Sequence, residues 1–215
     1  MRTVDYYFDF SSTNSYFSTF MLPELCRRNG AVVRWLPLHL AALFRGTGFD
    51  VMAMTPRKAH YLWRDHARYA EATGLPFRRP RRFPMKTAMA LRAVLAAAHA
   101  PAAQGANPGG LCSEAAGRLT QAVFRAYWER DEDIADRAVL ARSIAASGLA
   151  PDAILAASDS QAIRDELAAI VEQAIKRGVF GAPIFFVGDE MFWGKDRLDF
   201  VERWLQRTPP DLGDN

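Results

Sequence analysis

Residues 3–37 read TVDYYFDFSSTNSYFSTFMLPELCRRNGAVVRWLP, and how this stretch divides decides the fold. Thr3 to Phe10 is aromatic and β-branched enough for a strand. It runs into the polar cluster Ser11-Ser12-Thr13-Asn14-Ser15, which is a helix-start signal. Tyr16, Phe17, Phe20, Leu22 and Leu25 keep apolar helical spacing as far as Asn29-Gly30, where a glycine ends the helix. Ala31 to Leu36 reads as a second strand, closed by Pro37. Strand, helix and strand in this order make the two strands parallel, joined by a right-handed crossover.

Working outward, the stretch from His39 to about Arg177 is helical, with Gly and Pro as punctuation and no period-two alternation. Pro56 opens one helix that runs through Tyr61, Trp63 and Tyr69 to Gly74. Pro84 opens another, with Ala88, Leu91, Val94, Leu95 and Ala98 on one face. Leu119, Val123, Ala126 and Tyr127 resume the spacing, and Ile163, Leu167, Ile170, Val171 and Ala174 form a final segment ended by Gly178. Ile184 to Val187 and Glu190 to Trp193 flank Gly188-Asp189 as a β-hairpin. Asp196 then caps a helix whose stripe is Leu198, Val201, Trp204 and Leu205. The order β-α-β, helical block, β-β-α predicts an α/β, thioredoxin-like domain (1–38 and 178–215) interrupted by an all-helical insertion (39–177).

Bulk properties narrow the class. With 215 residues, 50% hydrophobic and 24% charged, the chain has the composition of an ordinary globular protein. No apolar run reaches the roughly 18 residues a membrane span needs. Asp5 and Asp9 interrupt the apolar start, so it reads as mature protein, and cytoplasmic residence is the default expectation. The net charge is only +3. Its basic run, Arg78, Arg79, Arg81 and Arg82, is broken by prolines, which predicts a solvated loop and no nucleic-acid partner. Cys26 and Cys112 form neither a CxxC nor a metal-ligand spacing, and His39, His60, His66 and His99 show no HExxH pattern, so no metal is expected.

Chemistry is expected where the first strand meets the first helix, because amides at a helix start point outward and favour negative charge. A cysteine there would exchange disulfides. Ser12 cannot, but its hydroxyl can donate to a sulfur brought by a ligand; equally, Ser11 or Ser12 can be a plain N-cap. Gly181-Ala182-Pro183 precedes a strand, so Pro183 is either an edge residue or a cis-proline that turns the Ala182 peptide outward. Trp193-Gly194-Lys195-Asp196 offers a carboxylate that either caps a helix or meets an ammonium group. Together the three features suit γ-Glu-Cys-Gly.

The stretches FDFSSTNSYF (8–17), YLWRDHARYAEATGLPFRRPRRFP (61–84) and GVFGAPIFFVGDEMFWGKDRLDF (178–200) resemble the 2-hydroxychromene-2-carboxylate isomerases and kappa-class glutathione transferases, which belong to the DsbA-like thioredoxin superfamily. The resemblance covers essentially the whole chain. It implies glutathione as cofactor, Ser12 as the catalytic serine at its sulfur, Ala182 pairing with its cysteinyl backbone before cis-Pro183, and Trp193, Gly194, Lys195 and Asp196 at its γ-glutamyl end. It further implies Arg45, Thr55, Pro56 and Lys86 as contacts to an aromatic carboxylate substrate, and a homodimer. Thr13 and Asn14 depart from the proline and aromatic residue usual after the serine, and Lys86 from a usual asparagine. The activity implied is a glutathione-dependent cis-trans isomerisation. A kappa-like transferase and a non-catalytic glutathione- or peptide-binding protein are the alternatives.

Overall fold

The computed structural model describes residues 2–48, 55–100 and 109–207, so residues 49–54 and 101–108 of the expected insertion and residues 1 and 208–215 of the expected thioredoxin-like domain lie outside the described residues. Strand β1 (Arg2–Phe8) pairs in parallel with β2 (Ala31–Pro37) from Arg2↔Ala31 to Phe8↔Pro37, with helix α1 (Thr13–Arg28) crossing between them. Strand β3 (Ile184–Val187) adds antiparallel to the other side of β1, and β4 (Glu190–Trp193) pairs antiparallel with β3. The sheet order is β2-β1-β3-β4.

Between β2 and β3 come α2 (Leu40–Thr47), α3 (Pro56–Thr73), α4 (Ala88–Ala98), α5 (Glu114–Trp128), α6 (Arg137–Ala146), α7 (Pro151–Ser158) and α8 (Gln161–Lys176). After β4 a 3-10 turn (Lys195–Arg197) leads into α9 (Leu198–Gln206). This is the thioredoxin-like α/β fold with an all-helical insertion that the element order predicts.

Alternation along β1 sorts its side chains between two faces. Tyr6 lies level with Trp35 on β2 and Phe185 on β3, and its ring stacks on Phe185 at 5.3 Å and meets Trp35 edge-on at 5.7 Å. Phe8, Phe10 and Phe124 continue the cluster toward α5, each fully buried. Aromatic pairs of this kind add about 1 kcal/mol each beyond area burial. On the opposite face the buried Asp5 takes Arg34 at 2.6 Å and also pairs with Arg177. Arg177 closes α8 and lies over the Phe186 ring at 3.7 Å, so one guanidinium ties the end of the helical block to the sheet.

Three boundaries differ from expectation. The first strand ends at Phe8 rather than Phe10, because Asp9 and Phe10 leave the ladder to form the turn before α1. The helix expected from Pro84 begins at Ala88. Its first residues are spoken for elsewhere: the Met85 amide and carbonyl both bond to the Ser11 hydroxyl, and Thr87 bonds to Asp9. Asp196 sits in the 3-10 turn, and α9 starts after Arg197 without a side-chain cap.

Candidate functional site

Ser12 occupies the N-cap of α1 with extended backbone (φ −93°, ψ 114°). Its Oγ accepts the Ser15 amide at 3.1 Å, and its own amide donates to the Asp9 carbonyl at 3.0 Å. The hydroxyl proton is directed elsewhere: Oγ donates to the Ala182 carbonyl at 2.9 Å, across 170 residues of sequence. The cap therefore uses the oxygen as an acceptor and leaves the O–H to act outside the helix. The Ala182-Pro183 peptide is cis, as one of the two sequence readings had it.

The β4–α9 turn joins the same cluster. The Gly194 amide donates to the Pro183 carbonyl at 3.1 Å. Gly194 has φ 104°, and a Cβ there would lie 2.6 Å from Asp196 Oδ1, so the carboxylate folds back over a position only glycine fits. Lys195 Nζ stands 4.5 Å above the Tyr69 ring of α3, while the Asp196 side chain is 60% exposed and lies 3.4 Å from Arg197. Trp193 is exposed and meets the exposed Phe180 edge-on at 5.1 Å, giving the cluster an aromatic wall. Ser12, Ala182, Pro183, Trp193, Gly194, Lys195 and Asp196 are thus brought together.

The four expected substrate contacts are distributed differently. Lys86 is exposed and follows Met85, whose backbone is held by Ser11 at 2.9 and 3.0 Å, so it sits at the rim of the cluster. Thr55 and Pro56 form the N-terminus of α3, where the Thr55 hydroxyl accepts from the Lys58 amide at 3.4 Å. Arg45 is exposed on α2 and bears electrostatically on His39. Among the described contacts, none carries Thr55, Pro56 or Arg45 to Ser12.

Two residues shape this site without having been singled out as part of it from the sequence. Asp9, fully buried, accepts the Ser11 amide at 2.7 Å, the Leu40 amide at 2.9 Å and the Thr87 hydroxyl at 3.1 Å. One carboxylate thereby joins the loop before α1, the loop before α2 and the start of α4. Burial outweighs these donors and raises its pKa to about 6. An acid at the end of an apolar strand, directly before a polar cluster, was the available signal. The second is His66 on α3, buried among Phe17, Trp63 and Phe77. Burial, helped by Lys195, lowers its pKa to about 4, so the ring is neutral at pH 7. Asn14, one of the two departures after Ser12, lies on the same side of α1 as Phe17, which packs on Tyr69 at 4.8 Å.

A parallel β-α-β start, a cis-proline opening the antiparallel strand beside it, and a helix N-terminus facing that proline are the marks of a thioredoxin-type ligand site. The family profile described as a DSBA-like thioredoxin domain matches residues 3–206. The 2-hydroxychromene-2-carboxylate isomerase of Sphingobium xenophagum is 31% identical over 209 residues, 95% of this chain and 98% of that protein. That of Pseudomonas putida is 30% identical over 208 residues, 95% of this chain and 94% of that protein. A solved structure of 2-hydroxychromene-2-carboxylate isomerase superposes with a TM-score of 0.76 at 26% identity, over 94% of both chains. The chain belongs to the DSBA-like thioredoxin-domain family and, within it, to the 2-hydroxychromene-2-carboxylate isomerases.

Proposed function

We propose that this protein is a glutathione-dependent isomerase acting on 2-hydroxychromene-2-carboxylate or a similar carboxylate of aromatic catabolism. The observation that carries the reading is the Ser12 hydroxyl, donating at 2.9 Å toward the peptide before cis-Pro183 from the first turn of α1. The family membership supports the reaction class, since the relatives are named for this isomerisation.

The residues present suit γ-Glu-Cys-Gly. The Ser12 O–H and the α1 N-terminus favour an anionic sulfur. The Ala182 peptide offers a backbone edge to an extended tripeptide. Asp196 can meet an ammonium group, Lys195 can meet a carboxylate, and the glycine at 194 lets the chain lie close. Glutathione, when bound, supplies a thiolate that adds to a conjugated carbon and leaves again, so it is needed without being consumed. The Ser12 hydroxyl would then donate to that sulfur in place of the Ala182 carbonyl, Trp193 and Phe180 would give the ligand an aromatic wall, and Lys86 would orient the substrate carboxylate at the rim. Arg45, Thr55 and Pro56 enter as outer contacts. The family reading also carries a homodimer and a cytoplasmic location, the latter consistent with the free thiols of Cys26 and Cys112.

Ser12→Ala tests this. The fold is retained with a loss of about 1 kcal/mol from the cap, while turnover falls roughly 100-fold or more, as when an anion-stabilising donor is removed. Total free thiol is followed in the same assay and stays constant during turnover. Undiminished turnover in Ser12→Ala would remove the serine from the chemistry. Net loss of thiol would identify a conjugating transferase, and calorimetric glutathione binding without turnover of the chromene carboxylate would identify a binding protein.

A further inference from the structure

Away from the Ser12 cluster, α2, α4 and α8 line an open, solvent-facing cavity of about 410 Å³. Leu167, Val171 and Ile175 line it at the spacing of one helical face, giving an apolar wall. At its polar side stand His39, Arg92 and Arg164, with Glu172 the acidic residue of the lining. The size is that of a small-molecule site, and an apolar wall under a cationic head selects for an acid with a hydrophobic body.

The arginines of the polar side are anchored at the end of α7. Asp159 gives its carboxylate to Arg137 at 2.8 Å and lies 3.6 Å from Arg92. Arg92 otherwise donates to the Ser158 carbonyl at 2.9 Å, and Arg164 to the Asp159 carbonyl at 2.7 Å. Among the lining residues, the guanidinium groups of Arg92 and Arg164 stand against the one carboxylate of Glu172. Burial first, then Arg45 and Arg92, hold the proton affinity of His39 below the ordinary range.

We propose that this cavity binds a small organic carboxylate, with its apolar body against α8 and its carboxylate between Arg92 and Arg164. The cavity borders the segments that carry the Ser12 loop. His39 adjoins Leu40 and Ala88 adjoins Thr87, the two residues that Asp9 clamps beneath Ser12. This site stands apart from the isomerase reading and does not depend on it.

Calorimetry without glutathione tests the site, using 2-naphthoate and its uncharged counterpart 2-naphthalenemethanol as probes. The expected result is saturable binding of 2-naphthoate, about tenfold weaker for the alcohol and about tenfold weaker in Arg164→Gln. Ala168→Trp, which puts an indole into the cavity from an exposed position on its lining, abolishes binding, and Ser12→Ala leaves it unchanged. Circular dichroism confirms that each variant is folded. Equal affinity for the alcohol, affinity preserved in both Arg164→Gln and Ala168→Trp, loss of binding in Ser12→Ala, or no binding at millimolar naphthoate would each overturn the proposal.

Discussion

Asp9 and His66 are buried ionisable groups whose protons are held in opposite senses. Asp9 has a folded pKa of about 6 against an ordinary 3.8, so folding favours its protonated form. Its contribution to stability is complete below about pH 4 and is lost as pH rises through 6. His66 has a folded pKa of about 4 against 6.5, so folding favours its neutral form. That contribution is complete above pH 6.5 and is lost as pH falls through 4. Over this interval the folded chain gains one proton at Asp9 and the unfolded chain one at histidine, and the two effects offset. Urea denaturation across pH 4 to 6.5 should therefore separate the variants. Asp9→Asn loses stability relative to the parent as pH is lowered, and His66→Phe loses it as pH is raised, each by about 2 to 3 kcal/mol at about 1.36 kcal/mol per unit. Parallel profiles for the three proteins would show that these groups do not titrate as described. Neither residue's environment was legible in the sequence, because desolvation depends on what covers a side chain, here Leu40 and Thr87 for Asp9 and three aromatic rings for His66. Ser12 and Pro183 were legible because their signals are local: a polar cluster after a strand, and a proline before one.

Elements whose ends carry their own chemistry were read closely from the sequence. Pro56 and Gly74 bracket α3, with Gly74 left-handed at φ 68°, and Asn29-Gly30 ends α1. The start of α4 was misplaced because Pro84 is a good first helical residue in isolation, whereas the Ser11 hydroxyl and the Asp9 carboxylate, more than 70 residues away in sequence, claim the groups a helix would have used. Short helices are especially dependent on their caps. Asp136 accepts the Ala138 amide at 2.7 Å and the Val139 amide at 3.2 Å at the start of α6, which packs against α5 and α7. Asp136→Ala should cost about 1 kcal/mol in chemical denaturation. Asp136→Asn, which keeps an accepting oxygen, should recover most of it. Equal losses in both would assign the effect to the carboxylate charge rather than to the cap.

At the scale of the molecule, the sheet and the insertion meet around β1, which is buried from Val4 to Phe8. No helix among the described residues is long and apolar enough to cross a membrane. The homodimer carried by the functional reading should appear in light scattering as twice the chain mass of 24.0 kDa, independent of concentration in the micromolar range. A single-chain mass there would remove the dimer while leaving the Ser12 chemistry standing. The strand order holds a further consequence. β1 and β2 are made early, yet β1 receives its second neighbour only when β3 emerges, and Ser12 waits 170 residues for its Ala182 partner. During synthesis the nascent chain therefore carries an open, aromatic strand edge for most of its length, the kind of surface that recruits unwanted pairing. On the ribosome, the bond between Ser12 and Ala182 can form only once Ala182 has emerged, immediately ahead of the β3 residues that cover that edge, so the Ser12 cluster is assembled only when the sheet is nearly complete.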